Sequence, residues 1–171
     1  MIIRDYGGRD RYSLSPSSPS LVISDQHSHM NHIKTVTDER VWTIDINSLS
    51  QRVFATHEID YNLNLALKPL SDRRGVDDVT YCHITFQNGK TGQRVQNQFN
   101  KVVTTAVQKL RGTDDRLVLN CGAGVSRSAA VAATVIAVHE ETTFQQALTH
   151  LQTLGQLSIH MTLFRNMVLT T

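Results

Sequence analysis

The most regular hydrophobic pattern in the chain runs from Val95 to Leu110 and has the period of a helix. Its apolar residues are three or four positions apart or directly adjacent, so that they share one helical face. Gly112 follows at a point where helices readily end. The spacing therefore predicts a long helix whose buried face consists of Val95, Phe99, Val102, Val103, Ala106, Val107 and Leu110.

Shorter apolar runs predict the strands of a sheet. Residues 21–23, 41–47 and 79–86 have the composition and partial alternation of strands. Residues 116–120 suit a short buried strand, and an almost wholly apolar helix follows at 129–138. Because strands and helices alternate, this order predicts a single α/β domain with a central mixed or parallel sheet of about four to five strands, flanked by helices.

Two further helices are predicted near the C-terminus. Thr143 and Gln146 have the spacing of a capping box, and Gly155 would end the helix that they begin. Thr162 is a candidate cap for a last helix, whose apolar side would be Leu163, Phe164, Met167 and Val168.

Length, composition and charge favour one globular domain. Of the 171 residues, 40% are hydrophobic and 19% are charged, which is typical of a folded protein. Residues 1–20 are polar and rich in serine, so we expect a loosely ordered lead-in before a domain at 21–171. A net charge of +2 is too small to indicate a nucleic-acid-binding surface.

Membrane insertion and secretion are not expected. The longest apolar run, 129–138, has about half the length of a membrane-spanning helix, and the N-terminus lacks the apolar core of a signal peptide. Two cysteines, Cys82 and Cys121, cannot form a disulfide framework. These features predict a protein of the reducing cytoplasm, and they leave its oligomeric state open.

The turn between the strand at 116–120 and the helix at 129–138 carries the reactive side chains. A strand that enters a helix through a glycine-bearing turn directs several N–H groups and the positive helix end at one point, which favours an anion. Cys121 begins the turn, where a thiolate is stabilised. Arg127 can grip two phosphate oxygens, and Ser128 can donate a hydrogen bond to the sulfur or to a water. The combination predicts phosphoryl transfer through a phosphocysteine.

This turn, continued through Ala129, resembles the signature loop of the cysteine-dependent protein tyrosine phosphatases, and of their dual-specificity branch in particular. The resemblance implies that family's α/β fold and the hydrolysis of phosphomonoesters on a phosphorylated protein or another substrate, without a metal or organic cofactor. It implies Cys121 as the nucleophile, with Arg127 and Ser128 as its catalytic partners. It also implies that the phosphate is bound by Gly122, Ala123, Gly124, Val125, Ser126 and Arg127.

The general acid of the family has no evident counterpart. The family places an aspartate after the strand that precedes the long helix, but Gln87 and Asn88 occupy the matching positions. No Asp or Glu occurs anywhere from Val79 through Thr113. One hypothesis is that deamidation of the Asn88-Gly89 pair supplies a carboxylate there.

The nearest carboxylates along the chain are not expected to replace this general acid. Asp77 and Asp78 lie at the wrong end of their strand, and Asp114 and Asp115 should lie at the edge of the sheet opposite the loop. Asn120 also stands where the family usually has histidine, which predicts a Cys121 thiol less ionised than in a typical member.

Three interpretations therefore stay open. The chain is an active phosphatase, a phosphate-binding pseudophosphatase with little or no turnover, or a structural module with an unused loop. The presence of both Cys121 and Arg127 favours the first, since binding alone would not require a nucleophile.

Two smaller groups of residues allow further hypotheses. His27, His29 and His32 are interpreted as a polar surface turn rather than a metal site, because no cysteine or carboxylate pair completes a ligand set. Cys82 could form a reversible disulfide with Cys121 if their strands are adjacent. A buried structural role for Cys82 is the simpler interpretation.

Overall fold

The computed structural model of the protein describes residues 34–37, 40–70, 77–87, 90 and 92–154. Within these ranges the chain forms five strands and four helices. In chain order they are β1 (Lys34–Thr37), β2 (Val41–Asp45), α1 (Gln51–Thr56), β3 (Tyr61–Asn64), β4 (Thr80–His83), α2 (Gln93–Gly112), β5 (Leu117–Cys121), α3 (Arg127–His139) and α4 (Phe144–Thr153).

The strands form one mixed sheet in the order β1-β2-β5-β3-β4. Strands β2, β5, β3 and β4 are parallel, and β1 pairs antiparallel with β2. All five residues of β5 are buried because this strand lies between two neighbours and is covered on both faces. The predicted α/β class with a central mixed sheet is confirmed, and the parallel strands present their carboxyl ends at a single edge.

The two faces of the sheet are covered by different helices. Leu117 and Leu119 of β5 belong to the larger core, to which α2, α3 and α4 also contribute buried residues. Val118 points to the other face and packs in a smaller core with Trp42 and with Phe54 of α1. The alternation along β5 therefore joins two apolar layers, because successive strand residues point to opposite faces.

The predicted helices between residues 93 and 154 are confirmed. In α2, six of the seven predicted core residues are buried, and Val95 is partly buried against the same core. The capping box of α4 is present: Gln146 N donates to Thr143 Oγ1 at 3.2 Å, and Thr143 N donates to Gln146 Oε1 at 3.0 Å. None of the helices in the described part is both long and apolar enough to cross a membrane.

Two elements, α1 and β3, lie in a stretch whose sequence shows no clear pattern, and strand β1 was not expected either. Helix α1 has only six residues and buries one of them, Phe54. Strand β3 carries two asparagines at buried positions, which conceals the apolar alternation of a strand. The predicted strand at 21–23, the lead-in at 1–20, the proposed helix stop at Gly155 and the last helix beginning near Thr162 lie outside the described residues.

Candidate active site

The predicted reactive turn lies at the carboxyl edge of the sheet. Strand β5 ends at Cys121, residues 122–126 form the loop, and α3 begins at Arg127. The Cys121 side chain is almost fully buried, with only 2% exposed. Its Sγ lies 3.3 Å from the Oγ of Ser128, in the first turn of α3. The connection between strand and helix thus brings Cys121 and Ser128 into contact, although seven positions separate them.

The loop surrounds the Cys121 sulfur with hydrogen-bond donors. Burial raises the pKa of the thiol, since it disfavours the thiolate. The Ser128 hydroxyl and the backbone amides of Ser128, Ser126 and Gly124 hydrogen-bond to the sulfur and lower the pKa by more. The net result is a pKa below the ordinary value of a cysteine. The loop is therefore arranged to stabilise negative charge at this point.

Gly124 fixes the position of the loop against the neighbouring strand. Its φ is +69°, a conformation that L residues rarely adopt. A Cβ atom at this position would lie 2.6 Å from the backbone N of Asp45 and 2.8 Å from the carbonyl carbon of Ile44. The loop consequently packs backbone to backbone on the end of β2, and only glycine permits that approach.

The end of β2 is itself held by Asp45, a residue whose role sequence reasoning missed. Asp45 Oδ1 accepts hydrogen bonds from the backbone N of Asn47 at 2.8 Å and of Ser48 at 3.0 Å. Ile46 N donates to the carbonyl of Cys121 at 2.9 Å. An Asx turn is a common use of aspartate after a strand. The Asp45-x-Asn47 spacing was the available signal for it.

Arg127 reaches across the sheet edge toward β3 and β4. Its Nη1 donates to the carbonyl of Leu65 at 2.6 Å and to the carbonyl of Phe86 at 3.3 Å. A Cβ atom built on Gly122 would lie 3.3 Å from Nη2, so the guanidinium group lies beside the loop. Two backbone carbonyls, which no sequence motif could reveal, thus position the arginine.

A cavity of about 380 Å³ opens beside Arg127 and Gly122. Lys68 adds a second cation, and no carboxylate is present among the residues that line the cavity. The other lining residues are Ile46, Asn47, Ala66, Leu67, Pro69 and Leu70. An anion is the ligand that this charge distribution favours.

The asparagine that replaces the family's histidine belongs to a buried polar network. Asn62 Nδ2 donates to Asn120 Oδ1 at 2.7 Å, and Asn120 Nδ2 donates to Asn64 Oδ1 at 2.9 Å. All three asparagines are at most 2% exposed. The network joins β3 to β5 immediately before Cys121. From the sequence, Asn120 was recognised only as a departure from the family's histidine. Its two hydrogen-bond partners on β3 were not predicted.

The same network supports the segment that receives Arg127. Asn64 Oδ1 accepts from Ala66 N at 2.9 Å, and Asn64 Nδ2 donates to the carbonyl of Lys68 at 3.1 Å. His83 Nε2 lies 2.9 Å from the carbonyl of Ala66. Hydrogen bonds from β3 and β4 therefore hold the segment that carries Leu65 and Lys68.

The carboxylates considered at the sequence level lie away from the loop. Asp77 and Asp78 precede the first residue of β4, and Asp114 and Asp115 precede β5, so all four belong to the amino edge of the parallel strands. Asp115 pairs there with Lys109 at 2.9 Å, and this hydrogen bond lowers the pKa of its carboxyl group. Asn88 and Gly89 lie outside the described residues.

The hypothesis of a disulfide between Cys82 and Cys121 is wrong. Cys82 lies on β4 and Cys121 on β5, and β3 separates the two strands. Two strand spacings amount to about 10 Å, whereas a disulfide requires Cα atoms within about 7 Å. Both residues are free thiols.

No group of three or more metal-ligating side chains occurs among the residues that the structure describes. The three N-terminal histidines, His27, His29 and His32, fall outside that part of the chain. The resemblance implies no metal.

A mixed sheet whose central strand β5 leads through a Cys-x5-Arg loop into a buried helix defines a phosphatase-like α/β domain. A family model described as the dual specificity phosphatase catalytic domain matches residues 41–168. The chain belongs to this family. The resemblance recognised from the loop residues is thereby confirmed.

Solved structures agree on the fold. Human DUSP28 is similar at a TM-score of 0.67 and 10% identity, covering 78% of this chain and 88% of that chain. The Cydia pomonella PTP-2 phosphatase has a TM-score of 0.70 at 12% identity, covering 81% of this chain and 89% of that chain. The human tyrosine phosphatase-like serine/threonine/tyrosine-interacting protein has a TM-score of 0.64 at 14% identity, covering 78% and 91%. No curated protein matches the sequence.

Proposed function

We propose that the chain hydrolyses phosphomonoesters, with phosphotyrosine as the most natural substrate, through a phosphocysteine on Cys121. The observation that carries the proposal is the set of donors around the sulfur. Amides from Gly124, Ser126 and Ser128 and the Ser128 hydroxyl all contact it, and the thiol pKa is lowered. A structural cysteine would not need such stabilisation.

The proposed reaction has two steps. In the first, the Cys121 thiolate attacks phosphorus, an S–P bond forms, and the ester P–O bond breaks as the leaving alcohol or phenol takes up a proton from water. The loop amides and Arg127 hold the equatorial oxygens as charge redistributes. In the second, water attacks phosphorus, the S–P bond breaks, and inorganic phosphate and the thiolate are released. Ser128 donates a hydrogen bond to the departing sulfur.

A second candidate function is phosphate binding with little or no turnover. The specific observation in its favour is that Val79 through Thr113 contains no Asp or Glu. Without a positioned acid the leaving group must depart with less assistance, which costs roughly 10²–10⁴-fold in rate. Substrates whose leaving groups need little protonation would suffer least.

The two candidates are separated by comparing substrates. We expect hydrolysis of p-nitrophenyl phosphate, whose leaving group is a good one, to exceed hydrolysis of a phosphotyrosine peptide by a wide margin. Cys121→Ser should abolish turnover and retain phosphate binding, while Cys82→Ser serves as the matched control and should keep full activity. Binding without hydrolysis of either substrate by the parent protein would favour the second candidate. Hydrolysis by Cys121→Ser at the parent rate would refute the mechanism.

The thiolate chemistry also bears on location. A cysteine nucleophile must stay reduced, which is the reason for expecting this protein to work in the cytoplasm.

A further inference from the structure

The proposed reaction leaves one atom without an evident partner, namely the oxygen that departs with the alcohol or phenol. Negative charge develops on this oxygen as the P–O bond breaks, so a donor that meets it there lowers the barrier. The stretch from Val79 through Thr113, where the family's acid would lie, contains no Asp or Glu. Asp45, at the end of β2, accepts hydrogen bonds from the backbone amides of Asn47 and Ser48. Another type of side chain is therefore needed beside the departing oxygen.

A cation lies at the mouth of the loop, on the segment that follows β3. Lys68 lines the cavity that Gly122 and Arg127 also line. Lys68 is exposed, and it forms no ion pair with any residue that the structure describes. Apart from Arg127, the other residues found to line this cavity are uncharged. Within the described part of the chain, no carboxylate therefore competes for the ammonium group of Lys68.

The backbone that carries Lys68 is fixed to the residues of the loop. The carbonyl of Leu65 accepts from Arg127 Nη1 at 2.6 Å, and Leu65 N donates to the carbonyl of Asn120 at 2.7 Å. The carbonyl of Lys68 accepts from Asn64 Nδ2 at 3.1 Å. Lys68 follows Leu65 by three positions, a span of at most about 11 Å. Its long side chain can therefore reach an anion that Arg127 holds.

The depth of the sulfur decides which side of the phosphate faces Lys68. Cys121 is only 2% exposed, and amides of the loop hydrogen-bond to its Sγ. In phosphoryl transfer the attacking atom and the departing atom lie roughly in line, with phosphorus between them. The departing oxygen consequently points away from the buried sulfur and toward solvent. The exposed side chain of Lys68 lies on that side.

We propose that Lys68 is a catalytic residue of the first step, whose ammonium group donates a hydrogen bond to the departing oxygen. This role rests on the proposed function, because it assumes phosphoryl transfer to Cys121. An ammonium group has three donors and a full positive charge, and it stabilises an oxygen most where negative charge is growing. Lys68 thereby assists the leaving group from the segment after β3, whereas the family's acid would lie after β4.

The step balances without a proton from Lys68. The Cys121 thiolate forms the S–P bond, and the electron pair of the ester P–O bond stays on the departing oxygen. The resulting phenolate or alkoxide accepts the hydrogen bond from Lys68 and takes up a proton from water as it leaves. The hydroxide so formed is neutralised by the proton that is released when water attacks the phosphocysteine. Lys68 keeps its charge throughout the cycle.

The test compares two esters whose leaving groups need different amounts of assistance. Phenyl phosphate releases a phenolate like that of phosphotyrosine, whereas the nitro group of p-nitrophenyl phosphate spreads the charge by itself. The quantity measured is kcat/KM, because it covers the formation of the phosphocysteine and not its later hydrolysis. Lys68→Met removes the charge from an unbranched side chain. We expect it to lower kcat/KM for phenyl phosphate about tenfold, and to lower the value for p-nitrophenyl phosphate by clearly less.

Two further variants locate the effect. Lys68→Arg should retain most of the rate on phenyl phosphate, since a guanidinium group is also a cationic donor and does not release its proton. Lys101→Met is the matched control, because it removes the same charge from an exposed position of α2 that does not line the cavity, and it should leave both values unchanged. Thermal unfolding of the three variants beside the parent checks that the fold is intact.

Equal losses on the two esters would overturn the inference, because Lys68 would then attract the phosphate without assisting the leaving group. A Lys68→Arg variant as slow on phenyl phosphate as Lys68→Met would also overturn it. Absence of turnover of both esters by the parent would refute the proposed function together with this role. Turnover that Lys68→Met leaves unchanged would refute the role of Lys68 alone.

Discussion

At the scale of single residues, the proposed chemistry depends on how Cys121 and Arg127 are held. The Cys121 sulfur is buried, yet the donors around it outweigh the cost of burial and lower its pKa. Arg127 is held by two backbone carbonyls rather than by a carboxylate, so its positive charge is not neutralised by these contacts. These contacts support the proposal that both side chains are arranged for an anion before one binds.

Ser128→Ala tests the hydrogen bond between the Ser128 hydroxyl and the Cys121 sulfur. The Ser128 hydroxyl lowers the thiol pKa, so its removal should raise that pKa and reduce the fraction of thiolate at neutral and acidic pH. We expect alkylation of Cys121 by iodoacetamide to slow there and to recover only at more alkaline pH. Peptide mass spectrometry over a pH series measures this, with Cys82 in the same sample as the reference. An unchanged pH profile for Cys121 would contradict the assignment.

Arg127→Lys tests the contacts of the Arg127 guanidinium group. Lysine keeps the charge but has neither the planar fork nor the reach to serve both carbonyls and a phosphate. Phosphate binding, measured by calorimetry, should weaken at least about tenfold. Arg111→Lys is the matched control, because Arg111 donates to the carbonyl of Val138 on an exposed surface. Equal affinities for Arg127→Lys and the parent would show that the fork does not hold the anion.

At the scale of elements, the proposed functional unit consists of β5, the loop and α3, supported by the end of β2. The loop cannot be moved independently, because Gly124 lies in backbone contact with Ile44 and Asp45. The pairing of β2 with β5, in which Asp45 is opposite Cys121, continues into this contact. The shape of the proposed anion site therefore depends on a neighbouring strand as much as on the loop itself.

Gly124→Ala should disturb this arrangement. The new methyl group would meet two backbone atoms and would occupy a left-handed conformation, at a combined cost of at least about 2 kcal/mol. We expect lower stability in urea and a loss of phosphate binding. Gly112→Ala provides the contrast, since a Cβ there meets nothing within 4 Å and lies in a helix. It should stabilise the protein by about 0.5–1 kcal/mol. Similar effects of the two substitutions would contradict the proposed close approach.

At the scale of the whole molecule, distant parts of the chain meet through the buried asparagines. Asn62 and Asn64 lie more than fifty positions before Asn120, and their amides join the central strand to its neighbour. Through Asn64 the network extends to the segment that includes Ala66 and Lys68. A buried polar network of this kind tolerates the loss of one member poorly.

Asn120→Leu should therefore destabilise the fold although it adds an apolar side chain. Asn62 and Asn64 would each lose a buried hydrogen-bond partner, which costs roughly 1–3 kcal/mol. Urea unfolding measures the loss. Asn97→Ala removes an exposed amide that pairs with Gln93 and should change stability by less than about 0.5 kcal/mol. If Asn120→Leu is as stable as the parent, the network has no structural importance.

The sequence by itself determined those features that depend on residues close to one another along the chain. The buried face of α2 and the capping box of α4 follow from residues three or four positions apart, so no distant part of the chain was needed to recognise them. The loop from Cys121 to Ser128 is likewise contiguous. Its residue types alone indicated an anion site and the dual-specificity phosphatase family.

Only the tertiary structure decided which segments meet at the edge of the sheet. The order of strands places β3 between Cys82 and Cys121 and so separates the two thiols. It also brings the carbonyls of Leu65 and Phe86 to Arg127, and the amides of β3 to Asn120. These contacts join residues 41 to 62 positions apart, and they use backbone groups or asparagines that any sequence contains. A local pattern cannot encode them, because their partners are chosen by strand pairing and not by spacing along the chain.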